Sequence, residues 1–148
     1  MNVLFDTTIL AHAFIGSPDD SRTQRAHAAI TVVLQRAQPY VCVQNIAELS
    51  AVGLNCATPP LTPEQAVDVA GNLVRNMPVL WASPETLKTA LTAVAALQIG
   101  FWDAMIWAVA KEHRIPLILS EGYRGLSEVN GVAIFNPIKN EISTCSLL

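Results

Sequence analysis

The chain has 148 residues, the size of one ordinary domain with its own core. Hydrophobic residues make up 51% of it, which excludes intrinsic disorder, while charged residues reach only 14% against roughly 25% in a typical soluble domain. So charge-poor a chain is expected to hide surface against a partner or a second copy of itself. The net charge of −3 offers nucleic acid no global attraction, so any such role must rest on a local site.

No internal repeat, low-complexity tract or linker divides the chain, and residues 1–148 are read as a single domain. Val3-Leu4-Phe5 predicts a short buried strand, followed by the polar turn Asp6-Thr7-Thr8 and a helix start at Ile9-Leu10-Ala11. Ser17-Pro18-Asp19-Asp20 reads as a loop. A helix is expected from about Ser21 to Arg36, with Ala26, Ala29, Ile30, Val33 and Leu34 on one stripe. Tyr40 to Val43 is a second strand, and Asn45-Ile46-Ala47-Glu48-Leu49 opens a further helix. The prolines between Thr58 and Thr62 break it, and Pro63-Glu64 suits the first turn of the next, which ends near Asn76. Val79-Leu80-Trp81 is a third strand, and Ser83 caps a helix that runs to about Leu97.

The stretch Ala93 to Ala110 is almost wholly apolar and nearly long enough to span a bilayer. Asp103 lies within it, however, where a charge costs about 2.5–3.5 kcal/mol even on a lenient insertion scale. Two buried helices meeting near Gly100, the second ending near His113, explain the stretch better. Leu117-Ile118-Leu119 and Val132 to Phe135 complete a set of about five strands. Apolar strands alternating with helices imply an α/β class, with a mainly parallel sheet covered on both faces. Cys42, Cys56 and Cys145 form no CxxC and their number is odd, which fits a reducing cytosol better than a disulfide framework or a zinc site. The opening residues carry no basic segment and place Asp6 inside an apolar run, unlike a signal peptide. The expectation is a cytoplasmic protein without a membrane span.

In open parallel sheets, ligands collect outside the carboxyl ends of the strands. Asp6 directly follows the first strand, Glu48 lies in the first helical turn after the second, and Glu121 follows the fourth by two residues. Asp103 starts a helix and is able to face the same edge. Each acid also has a purely structural explanation. Asp6 suits a helix cap, Glu48 a capping box with Asn45, Asp103 a helix N-terminus, and Glu121 a solvated turn. Together they are less easily explained, because all four sit among large apolar residues, where a lone carboxylate is costly. If they converge, each close pair repels by up to about 4 kcal/mol at roughly 4 Å, and such a cluster needs a cation. Oxygen ligands without histidine or cysteine select hard ions, Mg²⁺ or Mn²⁺, and suit phosphodiester hydrolysis by activated water.

Val3 to Leu10, Val43 to Leu49, Phe101 to Ala110, and Leu117 to Gly122 with Gly131 to Pro137 resemble, in order and spacing, the motifs of PIN-domain proteins, and among them the VapC-type toxins of bacterial toxin–antitoxin pairs. The resemblance implies a three-layer α/β/α sandwich and a metal-dependent ribonuclease with Asp6, Glu48 and Asp103 as ligands of Mg²⁺ or Mn²⁺. It also implies an RNA substrate, a cognate antitoxin and a homodimer. Two departures stand out. The family often carries asparagine or serine two places after the first aspartate, where this chain has Thr8. The closing motif commonly reads Ser-Glu-Asp, and here Gly122 replaces the aspartate. Either Glu121 carries the fourth acidic role or the site runs on three acids.

Thr8 and Ser120 flank the proposed acids and are candidates for orienting a water or phosphate, though each also suits a turn or cap. Arg124 is the best candidate for a phosphate contact. His12, His27 and His113 are scattered without ligand spacing and read as surface or helix-end residues. Trp102 and Trp107 read as core or interface. A phosphoacceptor module is disfavoured: Asp6-Thr7-Thr8 lacks the paired acid of a DxD motif, and Ser120 to Gly125 offers no lysine. A catalytically silent PIN-like scaffold for RNA binding or dimerisation is the alternative that Gly122 keeps open.

Overall fold

The computed structural model describes residues 1–148. Three strands, each followed by a pair of α-helices, precede three closing strands: β1 (Asn2–Phe5), α1 (Thr7–Ile15), α2 (Ser21–Arg36), β2 (Gln38–Cys42), α3 (Val43–Asn55) and α4 (Pro63–Asn76), then β3 (Val79–Leu80), α5 (Pro84–Leu97), α6 (Phe101–Glu112), β4 (Leu117–Leu119), β5 (Glu128–Val129) and β6 (Val132–Phe135). The strands form one sheet in the order β3-β2-β1-β4-β6-β5, and every pairing is parallel except β5 with β6. The mainly parallel α/β fold read from the sequence is the one found. The sixth strand was not foreseen. β5 has two residues, too few for any alternation of side chains to register.

Alternation along the strands builds two cores. Val3, Phe5, Val41, Leu117 and Leu119 point to one face, where they meet Leu10, Ala26, Val33, Leu49 and Leu73 of α1 to α4. Leu4, Cys42 and Ile118 point to the other, against Ala90, Ala93, Ile106 and Val109 of α5 and α6. Both faces of β1 and β4 are therefore dry, which is why their sequences are continuously apolar. The result is a three-layer α/β/α sandwich.

The apolar stretch before and after Gly100 is two helices. α5 ends at Leu97, Gln98 takes a left-handed conformation (φ 53°), and Gly100 is the cap residue of α6. No helix of the chain is long and apolar enough to cross a membrane.

Strand order locates the site. β1 pairs with β2 on one side and with β4 on the other, so successive connections leave β1 in opposite directions. A crevice opens at the carboxyl ends of strands where the winding reverses in this way. Asp6 leaves β1 and Ser120 leaves β4 at that crevice, and the Asp6 amide donates to the Leu119 carbonyl (3.0 Å) to tie the two strand ends together.

Candidate active site

Asp6 is buried, at 4% exposure, between the end of β1 and the start of α1. Its Oδ1 accepts from the Thr7 amide (2.7 Å), which makes it the cap of α1. The structural role expected of it is real, but it engages only one oxygen. Oδ2 accepts from Ser120 Oγ (2.6 Å) and Thr8 Oγ1 (3.0 Å). Ser120, fully buried, also accepts from the Gly122 amide (2.8 Å), and Thr8 accepts from the Glu121 amide (3.2 Å). These two hydroxyls thus join the α1 start to the segment after β4. No lysine or arginine pairs with Asp6. Burial pushes its carboxyl above the usual value, the charge of Asp103 adds to the rise, and the hydroxyl and amide donors oppose it.

Asp103 lies in the first turn of α6, and its Oδ2 accepts from the Tyr123 amide (3.2 Å). The Tyr123 hydroxyl donates to the Asp103 carbonyl (2.8 Å). Tyr123 has φ 60° and Arg124 has φ 51°, a left-handed pair that non-glycine residues adopt only when their surroundings hold them there. Full burial of the Tyr123 ring, together with its two bonds to Asp103, supplies that hold. Burial and the charges of Asp6, Asp103 and Cys42 push its phenol well above its ordinary range.

Gly122 precedes this pair and packs directly on Asp103. A Cβ built at Gly122 stands 2.6 Å from Asp103 Oδ1, closer than real Cβ contacts. The glycine that replaces the family's usual aspartate therefore leaves Asp103 the space it occupies.

Glu48 is half-buried on α3 and accepts from Thr7 Oγ1 (2.5 Å) through Oε2. Thr7 in turn accepts from Asn45 Nδ2 (3.2 Å), and Asn45 Oδ1 accepts from the Cys42 amide (3.0 Å). The capping reading of Glu48 is corrected here. α3 starts at Val43, two residues earlier than expected, and Asn45 itself supplies the reciprocal cap to Cys42. Glu48 is left free to face α1.

Glu121 goes elsewhere. Its Oε2 pairs with His12 Nε2 at 2.5 Å, both side chains being partly buried. His12, read from the sequence as a scattered helix-end residue, thus sits at the margin of the site. Thr7, Asn45 and Tyr123 were also missed. Only their adjacency to candidate acids and to the strand ends was visible in the sequence. His27 is exposed, and His113 bonds the Trp81 carbonyl (3.1 Å), so neither joins the site. Trp107 is core, its Nε1 donating to the Val129 carbonyl (2.8 Å), whereas Trp102 is largely exposed. Arg124 is exposed, without an ion pair.

In the crevice the charge of Asp103 thus adds to the effect of burial on Asp6, while Glu48 bonds the Thr7 hydroxyl at the α1 start and Glu121 is withdrawn onto His12. In the arrangement found, no three His, Cys, Asp or Glu side chains meet closely enough to enclose an ion. The donor chemistry nonetheless fits a hard divalent cation: carboxylate oxygens beside hydroxyls, with a buried carboxylate that no protein cation neutralises. Both oxygens of Asp6 are engaged by the protein, whereas Asp103 Oδ1 and Glu48 Oε1 accept no hydrogen bond.

The PIN domain model matches residues 3–132, and the chain belongs to the PIN-domain family. No curated protein sequence matches it. Among solved structures it is similar to VapBC2 from Rickettsia felis bound to a DNA fragment from their promoter (TM-score 0.68, 13% identity, 92% of this chain and 98% of that one). It is also similar to a toxin–antitoxin complex from Klebsiella pneumoniae (TM-score 0.68, 18% identity, 91% and 97% covered). A third likeness is to VapC20 of Mycobacterium tuberculosis, a sarcin-ricin loop cleaving toxin (TM-score 0.62, 16% identity, 78% and 86% covered). The chain is a PIN-domain protein with the fold of VapC-type toxins.

Proposed function

We propose that this chain is a Mg²⁺- or Mn²⁺-dependent endoribonuclease acting as the toxin of a toxin–antitoxin pair in the cytoplasm. One observation carries the reading: a buried aspartate without a cationic partner shares the switch-point crevice of a PIN fold with a second aspartate whose charge it feels. Asp6 and Asp103 would hold the cation, with Glu48 as the third acid. When bound, a divalent ion supplies a water of lowered pKa and offsets charge on the phosphodiester. The chain's own part is positional. Ser120 and Thr8 fix Asp6 from two sides, Tyr123 fixes Asp103, and Thr7 and Asn45 fix Glu48. The unpaired oxygens of Asp103 and Glu48 remain for the ion or for a proton taken from the attacking water. Glu121, paired with His12, supports the site from its edge, and the set of three acids is favoured over four. Arg124 is free to contact phosphate.

An antitoxin and a homodimer are part of the proposal. Their support is the low charge content and the apolar side chains left exposed, among them Trp81, Val67 and Val74. The separation of the acids in the arrangement found favours one second reading, a catalytically silent PIN scaffold. Cleavage of a mixed RNA by purified chain with Mn²⁺ tests the two. The nuclease reading expects cutting that EDTA abolishes and Asp103→Asn lowers by a hundredfold or more, on the order of an electrostatic catalytic contact. A folded, antitoxin-free chain that cuts no RNA supports the scaffold.

A further inference from the structure

Beside the acid crevice lies a cavity of about 490 Å³, within the range of pockets that hold small organic ligands. One wall is the segment Ser120-Glu121-Gly122, the same residues that fix Asp6 and crowd Asp103. Beside it, at and beyond the end of β6, lie Phe135, Lys139 and Asn140, the Ser120 amide donating to the Phe135 carbonyl (3.0 Å), and Leu126 completes the lining. The cavity thus shares Ser120 to Gly122 with the acid site, and no residue of α6 lines it.

Its chemistry is mixed in a way that suits a nucleotide. Lys139 is exposed and forms no ion pair, so its ammonium is free for a phosphate. It is the only cation in a lining whose one acid, Glu121, is already paired with His12. Phe135 and Leu126 offer apolar surface to a base, and Asn140 Oδ1 accepts no bond from the protein. An acidic molecule attracts a polyanion only through such local charges.

We propose that this pocket seats one nucleotide of the RNA adjoining the scissile phosphate, with Lys139 pairing with that nucleotide's phosphate and the Phe135–Leu126 surface receiving its base. The inference rests on the nuclease reading above and extends it to a substrate-positioning subsite on the β6 side. Single-stranded segments, whose bases are free to turn out of a stack, are the RNA such a pocket is able to take.

The test compares two substrates of the full chain with Mn²⁺: a fluorescent mixed-sequence RNA oligonucleotide, and bis(p-nitrophenyl) phosphate, which carries neither a second phosphate for Lys139 nor a nucleobase. Lys139→Ala is expected to raise KM for the RNA about tenfold at unchanged kcat, as the loss of one charge-assisted contact does. The slope of log(kcat/KM) against log salt should become shallower by about 0.7, the share of one single-strand phosphate. Leu126→Asp, an exposed position, should raise KM in the same direction. Both variants should hydrolyse the small diester as the parent does. RNA cleavage by Lys139→Ala with the parent's KM and salt slope overturns the subsite while leaving the nuclease reading intact. Equal losses on both substrates overturn it too, because the effect then belongs to the fold. A parent chain that hydrolyses neither substrate overturns the nuclease reading and the subsite together.

Discussion

Asp6 is shut away from water with three hydrogen-bond donors and no cation, a costly position for a charge. In the metal-free chain its carboxyl titrates above the unfolded value, so the folded state binds that proton more tightly than the unfolded one. Stability from this group is present below the unfolded value near 3.8 and is lost as pH rises through the folded one. Asp6→Asn is therefore expected to melt higher than the parent at pH 7 in EDTA. The gap should close as pH falls toward the acid range. A parent that melts above the variant at pH 7 without metal would contradict the burial argument. Gly122 makes a second residue-scale case. Gly122→Ala must push Asp103 aside, because the added Cβ meets the end of that side chain rather than backbone. RNA cleavage should drop on the order of a hundredfold, as for a misplacement of about 1 Å, in a chain that still folds. A reactive and an inert thiol are also expected. Cys42 is buried and its thiol is pushed up to about 11, whereas Cys56 is exposed, so an alkylating agent at neutral pH should label Cys56 first.

At the scale of elements, the site depends on three short starts: α1 after β1, α3 after β2, and the segment from Ser120 to Gly125 after β4. Thr7 of the first holds Glu48, Ser120 and Tyr123 of the third hold Asp6 and Asp103, and Asn45 of the second caps α3 while bonding Thr7. Tyr123 is the clearest instance, since its amide and hydroxyl both bind Asp103 across twenty positions of sequence. Tyr123→Phe keeps the buried ring and removes the hydroxyl bond, which should cost about 0.5–1.5 kcal/mol in denaturant unfolding. The candidate acids stood out in the sequence because a carboxylate such as Asp103, set in Phe101-Trp102-Asp103-Ala104-Met105, is out of place without a reason. The strands that deliver them were legible because both their faces are buried and their residues are uniformly apolar. What holds the acids was not legible. His12 meets Glu121 across 109 positions, and Thr7 meets Glu48 across 41, separations that no local pattern encodes. Asn45 was visible as a capping residue, yet its true partner lay upstream at Cys42, so Glu48 was assigned the wrong bond. The two residues of β5 carried too little pattern to be seen at all.

For the whole molecule, low charge and an apolar exterior belong together. α4 leaves Val67 and Val74 exposed at heptad spacing, and Trp81 is 69% exposed at the end of β3. A chain with this surface is expected to elute as a dimer or larger species by light scattering at micromolar concentration, and a strict monomer would remove the support for a homodimer. On the proposed reading, the same whole-molecule view explains why the crevice would take a cation. An acidic protein that gathers Asp6 and Asp103 at one sheet edge has no net positive field to offset them. The most direct measurement is the melting temperature of the parent, Asp6→Asn and Asp103→Asn across a Mn²⁺ titration. The parent should gain about 2.7 kcal/mol when Mn²⁺ reaches a hundredfold excess over its dissociation constant, and both variants should lose most of that gain. An equal rise in all three, or no rise in the parent, would contradict a metal site at this crevice.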